Sequence, residues 1–394
     1  MSHGDPVTNL TSLREQLALD SACIAINAGS WGPLCLAAVN AMNDFDYRTQ
    51  RERVDWIEFA PTVLELLEQD RIAVAKLIGA KASEIALCDS TTQALNIVLW
   101  GLNLKAGDEI VYTNLENPAA EIPLWNLAQR KGVRLLKAGL GLGEVDEITA
   151  VEACLSKRTK VFLVSDINYA TGARFDLPHL SELARHHDVF LLVDGVQAVG
   201  TIPVNVGELG VDAYALARHK FLCGPDGAGA LFVRDHRLGQ VHATFSGVCS
   251  TTLYSNNPAP KGTYMLRPTA ERYEVSTRSF GAYVGGQAAL KWLAEEVTLP
   301  FVYDRTSSLR RLLWDLLSDI SGVELISQRH WDSGLLTFRI AHLPADNVVE
   351  RLRQRQIHSR TIDILPEPCV RLSIGFWNRD SDINIIASVV RDML

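Results

Sequence analysis

Two residues of this chain, Lys220 and Asp194, have the types and the spacing to carry out a reaction. Lys220 lies in Asp212-Ala-Tyr-Ala-Leu-Ala-Arg-His-Lys-Phe-Leu-Cys-Gly-Pro-Asp-Gly-Ala-Gly229, where an apolar run ends in basic residues and a glycine-rich turn follows. A lysine held there is partly desolvated, which lowers its pKa and leaves a free amine to attack a carbonyl. Upstream, Val189-Phe-Leu-Leu-Val-Asp-Gly-Val-Gln197 places the Asp194 carboxylate at the end of an apolar strand. An amine that forms a Schiff base and an acid that holds a protonated pyridine nitrogen are what pyridoxal phosphate requires of a protein. A single Lys is ordinarily a solvated surface residue. The pair, in this order and at strand ends, is what makes the reading specific.

The elements that must position this pair follow from periodicity. Glu84 to Asp89, Asp108 to Thr113, Val161 to Ser165, Val189 to Val193, Ala213 to Ala217 and Ala228 to Val233 read as strands, with Thr91 to Leu102 among the intervening helices. The strands are nearly all apolar rather than alternating, as expected of a mostly parallel sheet covered on both faces. Such α/β folds place ligands at the carboxyl ends of strands, and Asp89, Asp166, Asp194 and Lys220 all fall there. The segment Asn256 to Gly262 is a loop by composition. Beyond it, helices over 285–296, 303–320 and 345–356 interleave with strands over 335–340 and 369–374, a smaller α+β unit. The expected division is an N-terminal arm over 1–20, a large α/β domain over 21–270 and a small domain over 271–394.

The chain has 394 residues, 47% of them hydrophobic and 21% charged, with a net charge of −8. That size suggests two domains. The acidic balance and the lack of a Lys/Arg run argue against a nucleic-acid binder. No apolar stretch approaches a membrane span of about 20 residues, and the N-terminus does not read as a secretory signal. The seven cysteines are scattered, with no Cys-x-x-Cys. A cytoplasmic protein without a metal site is expected.

Ser90-Thr91-Thr92-Gln93 sits between a strand and a helix. It reads either as a plain cap or as an anion site built from helix N-terminal amides, and its company with Asp194 and Lys220 favours the anion site. Together with Val193-Asp-Gly-Val-Gln197, His219-Lys-x-x-x-Gly-Pro-x-Gly227 and Val370-Arg-Leu-Ser373, it resembles the class V aminotransferases and cysteine desulfurases, which are pyridoxal-phosphate enzymes of fold type I. The resemblance spans roughly residues 20 to 390. Within that superfamily the chain looks most like the cyanobacterial cystine C–S lyase branch, through Asn96-Ile-Val-Leu-Trp-Gly-Leu102, Arg360-Thr-Ile followed by Cys369-x-Arg371, and the short loop between those arginines.

The resemblance implies fold type I, with a mostly parallel seven-stranded sheet in the large domain. It implies that Lys220 carries the cofactor and shuttles the Cα proton, while Asp194 keeps the ring nitrogen protonated. Gln197 would reach the phenolic oxygen. Thr91, Thr92 and Gln93 would hold the phosphate, with His219 close by. Arg371 would fork the substrate carboxylate; Arg360 is a candidate for the same pocket, or else a surface arginine at a helix end. Ser30 and Trp31 lie in Asn27-Ala-Gly-Ser-Trp-Gly32, a segment that lines the substrate pocket in related enzymes and that also reads as an ordinary turn. Thr277 would complete the phosphate site of a second subunit, making a homodimer with shared active sites.

Several positions depart from the pattern. Asn117 stands where a histidine usually stacks on the ring. Ala217 and Arg218 replace the phosphate-binding Ser or Thr and a Gly, which makes Arg218 a candidate phosphate contact. Ala170 replaces an Asn before Thr171-Gly172. Cys369, where a desulfurase would carry a mobile nucleophile, lies on a strand and reads as structural. Gly139-Leu-Gly-Leu-Gly143 lacks the spacing of a dinucleotide loop. The expected reaction is elimination from an α-amino acid, first of a sulfur leaving group from a cysteine- or cystine-type substrate. Open alternatives are a cyclodehydratase on a hydroxylated arginine with Glu116 as acid, decarboxylating oxidative deamination, plain transamination, and a non-catalytic scaffold.

Overall fold

Apolar strands and amphipathic helices alternate up to residue 233, and the fold converts that alternation into one sheet with helices on both faces. This computed structural model describes residues 10–20, 22–52, 55–142, 145–255, 263–363 and 367–394. The expected loop over 256–262, part of the loop between Arg360 and Arg371, residues 1–9 of the expected arm and Gly143 lie outside them. Helices α1 (Leu36–Glu52) and α2 (Trp56–Ile78) precede the sheet. Its strands are β1 (Ile85–Cys88), β2 (Glu109–Thr113), β3 (Arg134–Ala138), β4 (Thr159–Ser165), β5 (Phe190–Asp194), β6 (Ala213–Ala217) and β7 (Gly229–Val233). Helices α3 (Thr91–Gly101), α4 (Pro118–Lys131) and α5 (Leu177–His186) lie among the connections.

The spatial order is β1-β7-β6-β5-β4-β2-β3, and only β7 runs antiparallel to its neighbours. Four of the central strands are buried at every residue, which is why they read as unbroken apolar runs. On one face they pack against Leu95, Val98 and Leu99 of α3 and Leu124 and Leu127 of α4. On the other they meet Phe59, Val63 and Val74 of α2 and Leu177 and Leu180 of α5. Each such side chain contributes about 1.5–3 kcal/mol when fully buried. β3 is the strand that periodicity misses. As an edge strand it carries Arg134 and Lys137 at exposed positions, and charge on an edge blunts its pairing with other chains.

Helices α6 (Phe280–Trp292), α7 (Leu299–Ser318), α8 (Ala345–Gln354) and α9 (Asp380–Arg391) follow, with strands β8 (Val323–Leu325), β9 (Leu335–Ile340), β10 (Arg360–Ile362) and β11 (Cys369–Ser373). The four strands form an antiparallel sheet in the order β8-β9-β11-β10. Its core joins Phe338, Val370 and Leu372 to Leu313, Val348 and Ile383 of the covering helices. Two segments cross the division expected after residue 270. Helix α6 puts Ala282, Tyr283 and Trp292 into the larger core, whereas Ile24 and Ile26 pack in the smaller one.

That N-terminal crossing segment bears on everything that follows. Ile24–Ala25 pairs in parallel with Ile357–His358, and the Ser373 amide donates to the Ile26 carbonyl at 2.7 Å. A few residues on, the Gly32 amide donates to the His219 carbonyl at 2.8 Å and the Cys35 amide to the Cys223 carbonyl at 3.0 Å. The chain therefore lies directly against the turn that carries Lys220. A Cβ at residue 32 would fall 1.8 Å from the Lys220 carbonyl oxygen, so only glycine permits this approach. Gly32→Ala should lower the unfolding free energy by about 1–3 kcal/mol, the usual cost of overpacking. Urea denaturation with an unchanged midpoint would contradict that contact.

Candidate active site

Parallel strands deliver their carboxyl ends to one edge of the sheet, and there β5 presents Asp194 while the turn after β6 presents Lys220. Asp194 is buried, opposite Ser165 and Ala215 in register, and its Oδ1 accepts from the Val196 amide at 3.0 Å. Burial pushes the Asp194 carboxyl up, and the Lys220 charge pulls it back down. Burial also lowers the Lys220 amine to about 8; Asp194 opposes the shift, while Arg371 and Arg360 add to it. An amine in that range keeps about a tenth of its population unprotonated at pH 7, far more than an ordinary lysine, and that fraction is nucleophilic.

Two of the residues expected at the site have a buried polar atom without a partner among the described residues: the Oε1 of Gln197 and the Oγ1 of Thr91. Gln197 is held by its Nε2, which donates to the Gly29 carbonyl at 2.9 Å, so its other amide atom is aimed by design of the fold. Unsatisfied buried polar groups are uncommon and call for an explanation. A cofactor with a phenolic oxygen and a phosphate would supply one partner to each, so the residues present fit pyridoxal phosphate.

The turn into α3 is built as an anion site. Ser90 is the cap, accepting from the Gln93 amide at 3.2 Å, and the Gln93 Oε1 accepts from the Asp89 amide at 2.5 Å. Gln93 is thus partly spent on closing the turn. Thr91 opens the helix, buried, and Thr92 follows half-buried, with the first-turn amides pointing outward. His219 is half-buried and its pKa is lowered, chiefly by burial, which favours the neutral ring; Trp31, largely exposed, lies 5.3 Å from it between ring centroids. Asn117 caps α4, accepting from the Ala119 amide at 2.9 Å. Thr277 lies on an exposed segment.

Opposite the lysine, Arg360 and Arg371 are direct cross-strand partners on β10 and β11. Arg371 is fully buried; its Nη1 donates to the Tyr169 carbonyl at 2.8 Å and its Nη2 to Ser30 Oγ at 2.9 Å, while its Nε has no acceptor. Arg360, on a strand rather than a helix end, donates to the same Ser30 Oγ at 3.4 Å. Ser30 Oγ in turn donates to Asn27 Oδ1 at 2.9 Å. Burial, with Arg360 as the next cause, lowers the Arg371 guanidinium to about 9. Two like charges side by side call for an anion between them, and a carboxylate suits the fork.

Three expectations change. Arg218 is no phosphate contact: fully buried, it forks onto Asp70 with contacts of 2.7 and 2.8 Å. Glu116, the acid a hydroxide leaving group would need, is also sealed. Its carboxyl accepts from the Thr113 and Ser165 hydroxyls, each at 2.6 Å, and from the Ser165 amide; burial pushes it up to about 7. Asp166, at the end of β4, accepts from the Tyr214 hydroxyl at 2.8 Å, with Arg174 4.0 Å from its other oxygen. Cys369 is buried on β11, with its thiol pushed up to about 11, in keeping with a structural role. Sequence reasoning missed Tyr169 and Asn27, whose roles as backbone acceptor and hydroxyl holder leave no mark on residue type. Among the described residues, no group of His, Cys, Asp and Glu could hold a metal.

A parallel α/β sheet with a depressed lysine and a buried aspartate at its carboxyl edge defines a carbonyl-chemistry enzyme fold. The class-V aminotransferase family matches residues 32–385, and the chain belongs to that family. It is similar to a probable cysteine desulfurase of Methanothermobacter thermautotrophicus, 24% identical over 97% of each chain. It is also similar to the isopenicillin N epimerase of Streptomyces clavuligerus, 27% identical over 98% of each. A probable cysteine desulfurase of Mycolicibacterium paratuberculosis is 28% identical over 85% of this chain, which spans half of that relative's length. Among solved structures, the cystine C–S lyase C-DES in complex with its reaction product cysteine persulfide superposes with a TM-score of 0.88 at 26% identity, covering 98% of this chain and 99% of that one. A mutant of C-DES with glycine covalently linked to the PLP cofactor gives 0.90 at 26% identity, covering 96% and 99%.

The amine predicts its own titration. Labelling of Lys220 in cofactor-free protein by an amine-selective reagent should reach half its maximal rate near pH 8, where the amine loses its proton. A midpoint above pH 10, the range of an ordinary lysine, would show that the site is not dry.

Proposed function

We propose that this protein is a pyridoxal-phosphate-dependent lyase that cleaves the C–S bond of a cystine-type amino acid by elimination. The observation that carries the reading is the pair of guanidiniums meeting at Ser30 Oγ, opposite an amine poised near pH 8. The likeness to C-DES and to the desulfurases supports it.

Arg371 binds the α-carboxylate through its fork, and Ser30 holds that fork in place. Arg360, on the more exposed side, gives a second carboxylate a counter-charge. Asp194 keeps a proton at the ring nitrogen, and Thr91, Thr92 and His219 line the phosphate side. Bound pyridoxal phosphate supplies a ring that accepts the electron pair released at Cα. Lys220 takes the Cα proton as general base. The β-sulfur then leaves as a persulfide, which departs without acid assistance, so the sealed Glu116 is no handicap. Cystine and water thereby give pyruvate, ammonia and cysteine persulfide. Because Cys369 is fixed on a buried strand, its thiol does not take the sulfur. The relatives do not favour ring closure on a hydroxylated arginine or decarboxylating deamination.

A homodimer completes the reading. Thr277 stands beside exposed Val275, and Phe245 is 72% exposed on a groove of about 570 Å³ that also includes Gln93, Asn96 and Tyr273. An apolar face that opens beside the phosphate turn suits a second copy whose Thr277 reaches across. All seven cysteines are free, which accords with a reducing cytoplasm, and no described helix is long and apolar enough to cross a membrane.

Purified enzyme given cystine should release pyruvate and cysteine persulfide; cystine left intact would overturn the reading. Cys369→Ala should keep kcat within about twofold, because shortening a small buried thiol that takes no part in the chemistry is felt in stability rather than in turnover. Arg371→Ala should lower kcat/KM about 10–100-fold, the loss of a charged hydrogen bond worth about 1.5–3 kcal/mol. Phe245→Glu should shift the sedimentation of the protein toward the monomer; an unchanged dimer would remove this face from the interface.

A further inference from the structure

Asp70 and Arg71 are neighbours on α2, buried and oppositely charged, and each leads to a different end of the cofactor site. From Asp70 the path is direct. Its carboxylate takes both Nη atoms of Arg218, two residues before Lys220. Arg218 closes the lysine turn through its backbone: its amide donates to the Ala228 carbonyl and its carbonyl accepts from the Gly224 amide at 3.0 Å. The guanidinium has a slot made for it, because a Cβ at Gly286 of α6 would fall 2.1 Å from Arg218 Nη1.

From Arg71 the path runs the other way. Its Nη1 donates to the Ile85 carbonyl at 3.1 Å and to the Glu274 carboxylate. Glu274 also accepts from the Leu87 amide at 2.9 Å and from Arg278. Arg278 donates to the Leu87 carbonyl at 3.0 Å and lies over the Tyr283 ring; the Tyr283 hydroxyl donates to Asp89 Oδ1 at 3.1 Å. Asp89 is the residue whose amide closes the turn into α3. The strand β1 and the phosphate turn are thereby fixed from the same two positions that fix the lysine turn.

Buried ion pairs add little net stability over apolar packing, and their best-attested use is to specify one arrangement. A rigid cofactor joined at its aldehyde and held at its phosphate needs one particular distance between two separate turns. We infer that Asp70 and Arg71 are positioning residues that set the span between the Lys220 amine and the phosphate turn at Asp89 to Gln93. This inference rests on the cofactor reading and holds whichever amino acid the site takes.

The test compares pyridoxal 5′-phosphate with pyridoxal, which has the aldehyde but no phosphate, following the visible absorbance of the lysine-linked compound. The variant Asp70→Leu/Arg218→Met removes both charges and keeps the volume, and circular dichroism checks that it folds. A correct span lets the phosphate add its binding to that of the aldehyde. In the variant the ratio of the pyridoxal Kd to the pyridoxal-phosphate Kd should fall at least about tenfold, as misplacement on the ångström scale predicts, while pyridoxal binds as before. Parallel weakening of both ligands, or no change in the ratio, would overturn the inference and leave the pair a packing feature. Should the double variant fail to fold, Asp70→Asn is judged by the same ratio. Failure of unaltered protein to bind either compound would instead overturn the cofactor reading.

Discussion

A buried carboxylate and a largely buried amine that share the carboxyl edge of the sheet are the constraint on which the molecule is built. Neither Asp194 nor Lys220 is comfortable there, since burial disfavours the charged form of each. Each partly relieves the other, and the remaining imbalance leaves the Asp194 carboxyl raised and the Lys220 amine lowered toward neutral pH. The all-apolar strands around them are what keep water out. The site's chemistry therefore depends on the hydrophobic packing of β5 and β6 as much as on the two side chains.

The substrate side rests on a different device. Two guanidiniums would repel each other if left alone, and Ser30 Oγ and the Tyr169 carbonyl absorb part of that cost. These holders come from the N-terminal segment and from the loop after β4, while the arginines come from the smaller sheet. The paired arginines and their holders meet only where three distant stretches of chain converge. A substitution in any one of them would be felt at the arginines.

What could be read from the residues, and what could not, divides along physical lines. The central strands announced themselves because burial on both faces leaves only apolar residues. Asp194 and Lys220 stood out because a polar residue at the end of such a run is conspicuous. Edge strand β3 did not, since its charges mimic a loop. Arg218 was misjudged for a related reason: a cation near a phosphate turn suggests an anion, and nothing local reveals that its partner is Asp70, on a helix far upstream. Arg360 could not be placed before β10 and β11 were seen to pair, because cross-strand neighbours are a property of register. Glu116 looked available until its oxygens were seen to be occupied by Thr113 and Ser165. Local pattern marks the residues, and only long-range contact tells which of them are free to act.

The parallel pairing of Ile24–Ala25 with Ile357–His358 joins points more than three hundred residues apart, and the same segment goes on to brace the lysine turn. During synthesis the large sheet can therefore assemble well before the two arginines of the smaller sheet are made. For that interval the nascent protein has Asp194 and Lys220 in place but not the paired arginines. The two guanidiniums arrive last, when the C-terminal strands reach back to the beginning of the chain.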